Sequence, residues 1–391
     1  MKQRTANPVW RAALLPALAI ALVSRIGLFT IAWASLRIFP RFAFYPVQLP
    51  DNFLTNHPVL DGWARWDAAH YIAVAQFGYG GGGNPSPGGG AGFFPLYPIL
   101  IRGAAGLFGF APTPCALAIA AIAISNVCFF ISIALFIWLG RDQIGDEAAR
   151  QAALLICVMP FGFFFNAAYS ESLFLMLSLL CLVLARDQRY AMAGLVAGLA
   201  SGSRLVGLAL LPAMLYMAYR RGAFRRDYVV MLLLAPSGLA AFLIYSWRKF
   251  GDPLAYFHTQ SEWGGWNEHV RHYAELFIRH PKQTLTGDPR DLIVLFNVAL
   301  AVVFVACLPA VWKRLDPGTA LFTTLLVVVQ GIMTWVSLGR YILPAVGVYF
   351  VAGALLSKPR WSGWPRDVIV IASTLALALL TVLYAHGFWV V

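Results

Sequence analysis

The stretch Phe93-Phe94-Pro95-Leu96-Tyr97-Pro98-Ile99-Leu100-Ile101-Arg102-Gly103-Ala104-Ala105-Gly106-Leu107-Phe108-Gly109-Phe110 decides the fold. It is apolar enough for a short membrane crossing. Counted as one, it inverts the sidedness of every later loop and puts the basic cluster Arg220, Arg221, Arg225 and Arg226 outside. Pro95 and Pro98, the charge of Arg102 and the small residues Gly103 to Gly106 argue against a crossing. The stretch reads instead as an interfacial or re-entrant helix in the outer leaflet.

Composition agrees with a membrane setting. The 391 residues are 60% hydrophobic and 12% charged, against about 25% charged in soluble domains. Apolar runs long enough to cross, roughly 20 residues each, cover about 12–35, 113–139, 152–168, 171–186, 190–203, 206–219, 228–247, 292–312, 318–336, 341–357 and 366–388. The pair around Arg204 can be one bent element, so the reading is an all-α integral membrane protein with about 10–11 transmembrane helices. Lys2, Arg4 and Arg11 before the first run resemble a signal peptide, but no small-residue cleavage site follows, so an uncleaved helix is expected.

Loop charges set the orientation. With the N-terminus inside, the inner segments 1–11, 140–151, 186–190, 220–227, 313–317 and 358–366 hold sixteen of the 29 Lys and Arg residues, while the short outer turns hold only Arg204 and Arg340. The net charge of +12 is therefore a feature of cytoplasmic loops and does not point to nucleic acid. The chain reads as one polytopic unit, 1–391, with a first extracytoplasmic loop at 38–112 and a second at 248–291. The five cysteines lie in or beside apolar runs without a C-x-x-C pair, as small core residues do.

Ionisable groups at membrane depth are costly and commonly functional. On this topology Asp67 and His70, the turn Tyr169-Ser170-Glu171, Arg204 and Arg340 all fall on the extracytoplasmic side. Plainer readings stand beside each. Asp67 and His70 share a helix face and Asp67 has a ready partner in either His70 or Arg65. Ser170 followed by Glu171 is also a helix N-cap with an acid in the first turn. Arg204 and Arg340 can snorkel to headgroups, although the glycines around Arg204 favour close packing and an inward side chain. Gly80–Gly83, Asn84-Pro85-Ser86-Pro87 and Gly88–Gly90 read as a flexible linker or a flap over the site. His269 and His272, one turn apart beside Glu268, have a spacing open to a metal; a solvated interfacial helix is the plainer reading, and no metal or cofactor is expected.

These residues resemble the PIG-V family, the GPI mannosyltransferase II type. Trp66-Asp67-Ala68-x-His70-Tyr71, Gly78-Tyr79 and Phe93-Phe94-Pro95 look like its first lumenal loop. Pro160 with Ala168-Tyr169-Ser170-Glu171-Ser172-Leu173-Phe174 resembles a second signature. Arg204 with Gly207 is similar to an Arg-Ser-Asn-Gly motif, with Leu205 and Val206 in the middle positions, and Ser337, Arg340 and Tyr341 resemble a late element. The resemblance implies a GT-C fold glycosyltransferase: a helix bundle, interfacial helices and a catalytic acid in the first loop, and a polyprenyl- or dolichyl-phosphate mannose donor. The compact chain reads as a prokaryotic relative acting on a glycolipid or other glycan in the bacterial plasma membrane, with its active site extracytoplasmic.

Such a transfer needs a base for the acceptor hydroxyl, for which Asp67 is the candidate. It needs cations for the departing phosphate, for which Arg204, Arg340 and His70 are candidates. Trp66, Tyr71, Tyr169, Ser170 and Glu171 are expected to position the substrate. A single base with direct attack predicts inversion. The competing readings are a lipid-linked sugar transporter or flippase, which often shows internal repeats not found here, and a non-catalytic lipid-binding subunit.

Overall fold

The computed structural model describes residues 8–39, 57–80, 87–220, 226–262, 289–333, 337–388 and 390. Every regular element among them is a helix. In chain order they are α1 (Pro8–Ile38), α2 (Pro58–Trp63), α3 (Asp67–Phe77), α4 (Leu96–Leu107), α5 (Pro114–Ile144), α6 (Asp146–Cys157), α7 (Glu171–Arg186), α8 (Tyr190–Ser201), α9 (Leu210–Arg220), α10 (Arg226–Leu234), α11 (Ser237–Phe250), α12 (Ala255–Glu262), α13 (Pro289–Arg314), α14 (Pro317–Met333), α15 (Leu338–Tyr341), α16 (Val346–Leu356) and α17 (Trp364–Ala385).

Among the described residues α1, α5, α13, α17 and the kinked pair Asp227–Phe250 are each long and apolar enough to cross a membrane. Residues such as Leu15, Val23, Leu233, Val302 and Leu375 project outward from them, as lipid-facing side chains must. The deciding stretch forms α4. Its 12 residues rise about 18 Å, short of the roughly 30 Å hydrocarbon core. Tyr97, Pro98, Ile101 and Ala105 are buried on one side, whereas Ile99, Leu107 and Phe108 are exposed.

Three of the expected helices differ; the run read as 341–357 is helical only from Val346. The run read as 152–168 is helical only to Cys157 in α6. Pro160 disfavours helical geometry at Met159 and supplies no donor, and the chain continues through a short 3-10 turn, Gly162–Phe165, to Ser170. The run read as 228–247 is broken at Ala235–Pro236 into α10 and α11. That break lets Gly238 approach α8: a Cβ at Gly238 would strike the Gly198 carbonyl oxygen and lie 2.5 Å from the Gly202 nitrogen. The glycines near Arg204 thus serve backbone contact between helices, as expected of small residues in membrane bundles.

The irregular segment 158–170 lies in the buried centre, and α1 holds it there. Arg25, 2% exposed, donates from Nη1 to Gly162 O (2.9 Å) and Asn166 Oδ1 (2.7 Å) and from Nη2 to Cys157 O (3.0 Å), with its guanidinium 4.5 Å over the Phe129 ring. It supplies donors to carbonyls that the end of α6 and the 3-10 turn leave without helical partners.

Candidate active site

Four segments far apart in sequence meet at one place. The first runs from α2 into α3. Trp66 precedes α3 with φ 57° and ψ −125°, a conformation that non-glycine residues rarely adopt. Two tyrosine hydroxyls hold the carbonyl just before it: Tyr169 donates to Arg65 O at 2.9 Å and Tyr384 of α17 at 3.3 Å. Strain at Trp66 is thereby held in place, and Asp67 becomes the first residue of α3. Arg65 itself turns back to Asp61 at 2.7 Å. Of the two local partners that the plainer reading offered Asp67, His70 and Arg65, Arg65 is thus engaged elsewhere.

The second segment is the end of the irregular stretch. Ala168 N donates to Trp63 O at 3.0 Å, fastening it to α2. Ser170 stands at the N-cap position of α7 but makes no side-chain cap. Its hydroxyl lies 3.0 Å from that of Tyr71. Glu171 follows, 0% exposed. The third segment carries Arg204, the residue before the 3-10 turn Leu205–Ala209; Leu96 N of α4 donates to neighbouring Gly202 O at 3.0 Å. The fourth is α15 with Arg340, fixed by Gly339 N donating to Asn297 Oδ1 of α13 at 2.6 Å. A Cβ at Gly339 would strike the Phe161 ring, so this approach requires glycine.

The charged groups form a chain. Arg204 Nη1 lies 2.6 Å from Glu171 Oε1. Arg340 Nε pairs with the same oxygen, and Arg340 Nη1 lies 2.6 Å from Asp67 Oδ2. Aromatic faces enclose both guanidiniums: Arg340 sits 4.3 Å from the Tyr169 ring centroid and 5.0 Å from that of Tyr341, and Arg204 sits 4.7 Å from Tyr341. The array is formally neutral. It opens toward Asp67, whose side chain is 28% exposed, and Arg204, at 11%.

The structure thus brings Asp67, Arg204, Arg340, Tyr169, Ser170 and Glu171 into one assembly. His70 lies at its edge, stacked on Phe93 at 4.9 Å between ring centroids. Burial holds its imidazole below the usual pKa despite the opposing pull of Asp67. Trp66 is half-buried. Tyr71 of α3 is buried, and Tyr169, Ser170 and Glu171 are buried rather than displayed on an outer turn, because the chain between Pro160 and Ser170 dives inward instead of ending a helix at the surface. Single-residue reading missed Tyr384, Asn297 and Tyr256; Tyr341 was named only as part of the late element. Half-buried Tyr256 of α12 packs on Phe94 with 4.9 Å between ring centroids; it lies in the span 248–291. The described ends of the glycine-rich stretch bond each other, Gly80 N donating to Gly89 O at 2.9 Å, and just beyond it Gly92 O accepts from Gln260 Nε2 of α12 at 3.1 Å. Residues 81–86 of that stretch, and the Glu268, His269 and His272 group, lie outside the described residues.

Sequence comparison now bears on these residues. The family described as Mannosyltransferase (PIG-V) matches residues 42–247. The chain belongs to the PIG-V mannosyltransferase family. Among curated relatives, GPI alpha-1,6-mannosyltransferase 2 of Cricetulus griseus is 31% identical over 227 residues, covering 55% of this chain and 44% of that enzyme. The Mus musculus protein of the same name is 32% identical over 190 residues, covering 46% of this chain and 36% of its own length. The matches therefore span less than half of those relatives. Among solved structures, ArnT from Cupriavidus metallidurans bound to undecaprenyl phosphate aligns with TM-score 0.50 at 18% identity, covering 96% of this chain and 65% of that one. The fold is a GT-C type bundle. Within the PIG-V match lie Asp67, Glu171 and Arg204; Arg340, which ties Asp67 to Glu171, falls beyond it.

Proposed function

We propose that this PIG-V family member transfers mannose from a polyprenyl- or dolichyl-phosphate mannose to a hydroxyl of a glycolipid or other glycan, with inversion, at the extracytoplasmic face of a membrane. The observation that carries this reading is the linked array Asp67–Arg340–Glu171–Arg204, which places a partly exposed carboxylate beside Arg340 and joins that arginine through Glu171 to Arg204. Asp67 takes the acceptor hydroxyl proton as that oxygen bonds to the anomeric carbon. The bond from that carbon to the phosphate oxygen breaks, and its electron pair leaves with the polyprenyl phosphate. The donor is a phosphodiester with one negative charge. The departing monoester carries about 1.5 to 2, and the arginines stabilise the charge that develops. A bacterial plasma membrane is the setting we favour, with the loops 38–112 and 248–291 outside; the loop charges support that orientation.

The test uses the full chain in lipid nanodiscs with synthetic polyprenyl-phosphate mannose and a pool of glycolipid acceptors. Acceptor-dependent release of polyprenyl phosphate is expected from the wild type, falling by about 10²–10⁴-fold in a folded Asp67→Asn. Equal release by both proteins would remove Asp67 as the base. Retention of configuration in the product, read by NMR of the anomeric proton, would overturn the single-displacement route.

A further inference from the structure

Two guanidinium groups repel each other, and here Arg340 is buried and Arg204 largely so, side by side around one carboxylate. One atom holds them together: Glu171 Oε1 accepts from Arg204 Nη1 and from Arg340 Nε. Glu171 is itself 0% exposed, so no substrate reaches it in this arrangement. The bonds to Glu171 and Asp67 use Nη1 of Arg204 and Nε and Nη1 of Arg340; neither Nη2 takes part in them. Aromatic rings limit their movement: Tyr341 lies within 5.0 Å of both guanidinium carbons, and Phe164 and Tyr169 flank Arg340.

We infer that Glu171 is a positioning residue that clamps Arg204 and Arg340 into a two-arginine cradle for the phosphate of a polyprenyl phosphate. This rests on the donor class proposed above and reassigns Glu171 from touching the sugar to building the anion site. The clamp makes a prediction opposite in sign to charge counting. Glu171 is an acid within bonding distance of both arginines, so deleting its charge raises the local positive potential and by that measure tightens anion binding. If the carboxylate instead holds the cradle together, deleting it lets the like charges separate and binding weakens.

The experiment measures undecaprenyl phosphate affinity of the full chain in nanodiscs for the wild type, Glu171→Gln, Glu171→Asp and Asp67→Asn. Glu171→Gln is expected to bind at least about tenfold more weakly, as when a group that orients a ligand is removed. Glu171→Asp keeps the countercharge in the buried array and shortens the reach by one methylene; it is expected to weaken binding as well, through geometry alone. Asp67→Asn deletes the same unit of charge beside Arg340 without touching the clamp, and is expected to bind more tightly. Tighter binding by Glu171→Gln, or wild-type affinity in Glu171→Asp, overturns the clamp while leaving the donor reading intact. A wild type that binds no undecaprenyl phosphate overturns both.

Discussion

Arg340 Nη1 lies 2.6 Å from Asp67 Oδ2 although 273 residues separate them in the chain. The pair sits where the bundle is nearly closed, with Arg340 3% and Asp67 28% exposed. The guanidinium uses one edge for Asp67 and another nitrogen for Glu171, and aromatic faces cover its plane. A lysine keeps the charge but cannot make both bonds or stack. Arg340→Lys is expected to lower the transfer rate by about 10²–10³-fold, comparable to losing one donor to a developing oxyanion. Turnover beside a thermal unfolding profile checks this; near wild-type turnover would show that charge alone suffices.

The Arg65 carbonyl accepts from both Tyr169 and Tyr384 just before the strained Trp66. Each tyrosine can satisfy it alone. Tyr384→Phe is therefore expected to destabilise by about 1 kcal/mol or less, whereas the double variant with Tyr169→Phe orphans a buried carbonyl and loses about 1–3 kcal/mol beyond the sum. A double-mutant cycle on unfolding in detergent measures that coupling. Additive effects would mean that the two hydroxyls act separately.

Arg25 has no carboxylate partner among the described residues; its charge is met by four oxygens, Ser24 Oγ among them, and a ring. Arg25→Leu fits the apolar helix but leaves Cys157 O, Gly162 O and Asn166 Oδ1 without that donor. It is expected to destabilise by about 3 kcal/mol or more, and to reduce turnover because the same segment ends in Tyr169, Ser170 and Glu171. Thermal midpoint and turnover measured together decide it, and an unchanged midpoint would remove the anchoring role.

His70 has its pKa held below the usual 6.5 by burial, with Asp67 pulling the other way. The unfolded chain therefore takes up a proton at His70 more readily than the folded one. The sign follows: His70's contribution to stability is intact above pH about 6.5 and is lost as pH falls below it. The wild type is expected to lose more of its thermal midpoint between pH about 7.5 and 5.5 than His70→Gln does, because glutamine does not titrate. Equal losses would show that other groups set the acid response.

Much of the architecture follows from quantities that add along a chain. Hydropathy located the apolar runs, and lysines and arginines in short loops set an expected orientation. The proline pair and small residues in 93–110 argued against a crossing, and the helix formed there, α4, has 12 residues. The polar residues singled out in apolar surroundings, Asp67, Glu171, Arg204 and Arg340, converge in the fold.

Which group meets which was decided only by tertiary structure. Arg65 stands two residues from Asp67, yet the break at Trp66 turns it to Asp61, and Asp67 takes a partner from α15. Ser170 and Glu171 look like a helix cap, yet the collapse of 158–170 into the core gives Ser170 to Tyr71 and Glu171 to two arginines. Asn297 and Tyr384 are polar positions in long, mostly apolar helices, and nothing in their neighbours names Gly339 or the Arg65 carbonyl as partners. Local sequence states that a buried polar group must be satisfied; only the packing of distant helices supplies the atom that satisfies it.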